Sequence, residues 1–191
     1  MLESRAMVNT LRAAMALAGL AMFGTALLVP IAPAGAAPPE GGSRRGGLRT
    51  GEAAPEIAAE RLSGTEGVSL ADLHGRVVVI DFWATWCGPC RDIMPELDRM
   101  YRQHQGAGLS VVGIAREPEG RLRAHLAESP VSYTVARDVG GTLTRYGVRA
   151  LPTLVVLDRD GQIRDVVVGM DGGSMTRLDR LVRQLLAEPT H

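Results

Sequence analysis

Cys87 and Cys90 are the only cysteines in 191 residues, and their setting constrains the fold more than any other feature of the chain. They flank Gly88-Pro89 and follow the apolar run Val77-Val78-Val79-Ile80 closely. A β-branched run without clean alternation reads as a strand, Arg76 to Phe82, buried on both faces of a sheet. Pro89 lacks an N–H and suits the first turn of a helix. The segment therefore predicts a buried strand leading into a helix, with Cys87 at the helix N-terminus. Unpaired backbone N–H groups and the helix dipole favour a thiolate there. A lone Cys-x-x-Cys in this setting points to thiol–disulfide exchange. Cys87 is then the exposed nucleophile and Cys90, one turn further on, the more buried resolving thiol. Two cysteines are too few for a disulfide scaffold. Structural zinc needs four ligands, and His74, His104, His125 and His191 show no ligand spacing, so no metal and no other cofactor is expected.

The rest of the chain alternates strand and helix patterns. The helix opened by Cys87 should run to about Gln105, with Ile93, Leu97, Met100 and Tyr101 as its core stripe. Leu109–Ala115 and Thr153–Leu157 read as further buried strands. Helices are expected at Glu119–Glu128, with Leu122 and Leu126 inward, and at Thr142–Tyr146. Val131–Ala136 reads as a short strand. Glu56–Leu70, broken by Gly64 and Gly67, reads as a small strand pair. Asp158-Arg159-Asp160-Gly161 is a hairpin turn whose second strand is Gln162–Gly169. A closing helix spans Ser174–Ala187, capped by Ser174, with Met175, Leu178, Leu181, Val182 and Leu185 on one face. These elements describe an α/β sandwich with a mixed sheet.

The first 36 residues read as a targeting segment. Arg5 and Arg12 give a positive start, weakened by Glu3; Ala13–Val29 carries no charge; Ala34-Gly35-Ala36 fits a signal-peptidase site. The alternative is an anchor retained through residues 13–29, short for a bilayer span. With no cysteine there, a lipoprotein anchor is excluded. Either reading exports the body of the protein, to the periplasm or the outer face of the cytoplasmic membrane. Residues 37–51 read as a flexible linker and 52–188 as the folded domain. The 21 cations, all arginine, balance 21 acids, so no charge surplus points to nucleic acid.

The block Asp81-Phe82-Trp83-Ala84-Thr85-Trp86-Cys87-Gly88-Pro89-Cys90 resembles thioredoxin. So do Pro95, where a thioredoxin helix kinks, and Arg149-Ala150-Leu151-Pro152-Thr153, where the family carries a cis-proline. Gly51-Glu52-x-x-Pro55, the segment Leu70–Arg76, the Asp158–Gly161 turn and the leader are similar to the exported TlpA/ResA/CcmG-type branch. This resemblance implies a thioredoxin-like three-layer sandwich with a mixed central sheet, an N-terminal strand extension and a redoxin-type insertion. It further implies that Asp81, costly to bury and so raised in pKa if buried, assists proton transfer at Cys90. Trp86, Gly88, Pro89, Leu151, Pro152 and Gly169 would form the docking surface, Leu151 pairing its backbone with an extended client segment. Trp83 is expected to be a packing residue, a reading equally open to Trp86. The chain departs from the branch by carrying Ile93-Met94-Pro95 where many relatives have Glu-Met-Pro, with Asp92 one place earlier. It also carries Asp81 in place of the branch's common asparagine. Glu117 follows a strand where some relatives place a functional acid.

Gly-Pro between the cysteines resembles the strongly reducing thioredoxins. The reading that follows is an exported protein-disulfide reductase fed by a membrane thiol-electron donor. Its clients would be cysteine pairs such as that of apocytochrome c, or a copper-site assembly protein. The competing readings are a disulfide-forming oxidant or isomerase, and a Cu(I) metallochaperone using Cys87 and Cys90 with Met94, Met100, Met170 or Met175. Met94 and Met100 sit at helix core positions, which speaks against the chaperone.

Overall fold

The strand β4 (Val77–Trp83) is buried along its whole length and lies at the heart of a sheet. In this computed structural model, which describes residues 44–45 and 47–189, the chain before β4 contributes β1 (Arg44–Arg45), β2 (Leu48–Arg49) and β3 (Ala59–Ser63). After β4 come α1 (Gly88–His104), β5 (Leu109–Ala115), α2 (Glu119–Glu128), β6 (Thr134–Asp138) and α3 (Thr142–Arg145). Then follow β7 (Thr153–Leu157), β8 (Ile163–Val168) and α4 (Ser174–Ala187). The six-stranded sheet has the order β3-β6-β5-β4-β7-β8. β4, β5 and β6 are parallel, and β3, β7 and β8 run antiparallel to their neighbours. This is the expected mixed sheet. β3 is its N-terminal extension, and α2 with β6 form a helix–strand pair inserted between β5 and α3.

Side chains alternate across β4, so its two faces feed two cores. Val77, Val79 and Trp83 pack with Leu97, Met100 and Tyr101 of α1, Leu122 of α2, and Leu178, Val182 and Leu185 of α4. Val78, Ile80 and Phe82 pack on the other side with Leu73, Tyr146 and Leu48. Pro95 lies inside α1. Gly108 (φ 103°) turns the chain out of a short 3-10 segment into β5.

Three local expectations are corrected. The segment 56–70 makes one strand, not a pair. β3 pairs with β6, and Gly64 (φ 85°) follows it so close to Thr134 that a Cβ there would lie 2.5 Å from the Thr134 Cα. The residues beyond bond locally: Ser69 Oγ donates to Asp72 Oδ2 at 2.7 Å, and Arg61 Nη1 donates to the carbonyls of Thr65 and Glu66. β6 begins three residues later than expected, because the Ser132 N–H donates to Asp98 Oδ1 (2.6 Å) instead of joining the sheet. Ser174 is the first residue of α4 and not its cap. Asp171 closes that end, its Oδ1 accepting from Gly173 N (2.9 Å) and Ser174 Oγ (2.8 Å).

The end of the expected linker is built into the domain. β1 pairs with β2, Leu48 is buried, and the Gly51 N–H donates to the Ile163 carbonyl at 2.7 Å. Residues 1–36, expected to be a targeting segment, lie outside the described residues. Among the described residues no helix is long and apolar enough to cross a membrane.

Candidate active site

Four segments meet at one end of the sheet. β4 ends at Trp83 and leads to Cys87, while β5 ends at Ala115 in register beside Trp83. The loop entering β7 lies on the other side, because Thr153 pairs with Phe82; β8 ends at Val168 opposite Thr153. Every residue expected at the site lies on these segments or in the first turn of α1.

Cys87 caps α1 from outside the helix (φ −83°, ψ 105°), and its Sγ accepts from the Cys90 N–H at 3.3 Å. A sulfur at this position meets the positive end of the helix dipole, as the Gly-Pro spacing predicted. Cys87 and Cys90 form a disulfide with Cα atoms 5.3 Å apart. Cys87 is only 5% exposed and Cys90 is fully buried. The expected order of accessibility holds, but Cys87 is more covered than an exposed nucleophile. The disulfide holds its sulfur against that of the fully buried Cys90, and both residues pack in the core.

The two tryptophans lie in opposite surroundings. Trp83 is fully buried under α1, and Trp86, one residue before Cys87, is 69% exposed. The Leu151–Pro152 peptide is cis. Pro152 offers its carbonyl to the Gly169 N–H (2.8 Å), which ties the β7 and β8 loops together. Among the described residues no backbone partner takes the N–H or C=O of Leu151. Next to this loop the exposed Val168 adds apolar surface.

Asp81 is fully buried, and neither carboxylate oxygen has a hydrogen-bond partner among the described residues. Burial alone pushes its pKa up to about 7. By strand alternation it shares the face of Val79 and Trp83, the face on which Cys87 and Cys90 pack.

Glu117, in the loop after β5, has a definite place. Its Oε2 accepts from the Thr85 N–H (2.6 Å) and its Oε1 from the Thr85 hydroxyl (2.8 Å), two residues before Cys87. Its side chain is 6% exposed, with Arg121 3.5 Å away. The sequence marked Glu117 only through relatives, because its partner lies 32 residues away. Hydrogen bonds to a charged group contribute about 1.5–3 kcal/mol. Glu117→Ala is therefore expected to lower stability by about 2 kcal/mol or more, and chemical denaturation of the oxidised protein checks this. A loss below about 0.5 kcal/mol would show that the loop does not depend on the carboxylate. No group of His, Cys, Asp and Glu side chains among the described residues has an arrangement that could hold a metal ion.

Fold and disulfide define a thioredoxin-like redox enzyme, and known proteins agree. The sequence pattern of the AhpC/TSA family matches residues 50–166, and the chain belongs to that family. It is 35% identical over 127 residues to the thioredoxin-like protein YneN of Bacillus subtilis, covering 64% of this chain and 74% of that one. It is 32% identical to the thiol-disulfide oxidoreductase ResA of Halalkalibacterium halodurans over 63% of this chain and 69% of that one. A crystal structure assigned as the thiol:disulfide interchange protein DsbE of Chlorobium tepidum superposes with a TM-score of 0.68. It is 34% identical and covers 73% of this chain and 99% of that one.

Proposed function

We propose that the protein is an exported reductase of protein disulfides. The observation that carries this reading is the Cys87–Cys90 disulfide at the N-terminus of α1, beside the exposed Trp86 and the unpaired backbone of Leu151. In the reduced protein the Cys87 thiolate attacks a client disulfide and expels one client sulfur as a thiolate. Cys90 loses its proton to Asp81 through water and attacks the Cys87 sulfur. The mixed disulfide breaks, the client leaves as a dithiol, and the two electrons it gained leave the Cys87–Cys90 disulfide behind. Trp86, Gly88, Pro89, Leu151, Pro152 and Gly169 hold the client, with Leu151 pairing to an extended segment.

Export is supported by residues 1–36, and the reducing direction by Gly-Pro between the cysteines. A membrane thiol donor supplies the electrons. The clients are cysteine pairs that a ligand needs reduced, such as that of apocytochrome c or of a copper-site assembly protein. The test is the reduction potential of the couple, titrated against dithiothreitol. A value near about −270 mV, that of thioredoxin, is expected. A value near about −120 mV, that of DsbA, would make the protein a disulfide donor instead.

A further inference from the structure

Beneath the disulfide lies a group of buried polar atoms that bond to nothing in the described protein. They are both carboxylate oxygens of Asp81, Nε1 of Trp83, the hydroxyl of Tyr133 and Nε2 of His125. Such atoms are costly to bury unpaired, and a native interior rarely holds several together without ordered water. Two contacts link them through Trp83, and a charge effect joins Tyr133 to Asp81. Gly113 is the register partner of Asp81 on β5, and a Cβ on it would lie 3.1 Å from Trp83 Nε1 and 3.3 Å from Tyr133 Cε2. The Trp83 ring packs against the His125 ring, with centroids 5.3 Å apart. Burial, then the charges of Asp81 and Asp98, drives the Tyr133 phenol well above its ordinary pKa, so it is a fixed donor at neutral pH.

His125 also reaches the outside. It lines a groove of about 360 Å³ between α1 and α2, with Met94, Pro95 and Asp98 on the α1 side and Glu128 and Pro130 near it. The titratable groups around Asp81 come from every element over this face. α1 brings Cys87, Cys90, Asp98 and Tyr101, whose ring meets Tyr133 edge-on at 6.5 Å, α2 brings His125, and Tyr133 precedes β6. Asp98 is engaged by Ser132 N and by Arg102 at 3.1 Å. α4 presents Leu178, Val182 and Leu185 to this core, while its Asp179 pairs outward with His104 and Arg183.

We infer that Tyr133 and His125 form a proton exit from Asp81: Tyr133 positions water on the carboxyl group, and His125 passes the proton to solvent in the groove between α1 and α2. This rests on the proposed role of Asp81 as acceptor of the Cys90 proton. The proton leaves Cys90 for Asp81, moves through water to Nε2 of His125, and departs from the other ring nitrogen. No electrons move along this path, so it changes rates and not the redox equilibrium.

The test follows single-turnover oxidation of the reduced full chain by glutathione disulfide, from pH 5.5 to 9, with and without added imidazole. The parent should show a rate inflection near neutral pH that Asp81→Asn removes. His125→Gln should keep that inflection, slow the reaction at pH 7 on the order of tenfold, and regain speed with imidazole. Tyr133→Phe, which removes one hydroxyl, should move the inflection up by about one pH unit through loss of the water that Tyr133 holds on the carboxylate. Both variants should keep the parent's reduction potential. Parent-like profiles for both, with the inflection still lost in Asp81→Asn, would refute the exit and leave Asp81 as acceptor. Slowing of His125→Gln that imidazole does not relieve would reduce His125 to a packing partner of Trp83 and refute it too. An inflection that survives Asp81→Asn would overturn the underlying role and the exit with it. If His125→Gln does not fold, Tyr133→Phe decides: an unshifted inflection refutes the proposal.

Discussion

Replacing Asp81 with asparagine should make the oxidised protein more stable at pH 8, by as much as about 4 kcal/mol. The pKa of Asp81 rises from 3.8 to about 7 in the fold, and each unit corresponds to about 1.36 kcal/mol. The sign follows from where the proton sits. Below pH 4 the carboxyl is protonated in folded and unfolded chains alike and costs nothing differentially. Between pH 4 and 7 the unfolded chain ionises while the folded one holds its proton, so stability falls as pH rises. Above 7 both are ionised, and the whole cost of a buried, unpaired carboxylate remains. The advantage of Asp81→Asn should be greatest at pH 8, about 40% as large near pH 5, and small at pH 4. Urea denaturation at the three pH values measures it. A difference between parent and variant that does not change with pH would show that the fold does not raise the pKa of Asp81, and would remove the basis for its role at Cys90.

The second large effect separates the two cysteines. Cys90 is fully buried, and Cys87 alone has any exposed surface at the end of the sheet. Cys87→Ser should therefore abolish turnover and form no adduct with a disulfide probe. Cys90→Ser should also abolish turnover but stop halfway, with one glutathione joined to Cys87, because no thiol remains to expel it. Mass spectrometry after treatment with glutathione disulfide shows the difference. Glutathione on Cys90 in the Cys87→Ser variant would reverse the assigned roles.

Patterns that repeat over neighbouring residues were legible in the sequence. The bounds of β5, α2, β7 and α4 follow directly from apolar runs, glycines and helical spacing. The Cys-x-x-Cys and its helix start were legible because cap, dipole and proline rules act within a few residues. What stayed hidden depends on contacts between distant parts. Asp98 takes Ser132 out of β6, Glu117 clasps Thr85 across 32 residues, and Leu48 finds a core in a stretch whose glycines and arginines read as linker. Tyr133 and His125 carried no signal at all. Nothing in their spacing tells that the fold sets them beside Trp83 and above a glycine.

The chain has just two tryptophans, and the fold puts them in opposite surroundings within three residues of each other. Trp83 sits sealed in the interior beside the sulfur pair and the buried polar group, while Trp86 stands in water on the rim. Their light emission is therefore separable: a dissolved quencher such as iodide reaches the outer ring and not the inner one. The shielded, bluer component reports electron transfer at the sulfurs, and the quenchable, redder one reports contact with whatever docks. One unlabelled sample thus carries two independent optical channels, one for chemistry and one for encounter.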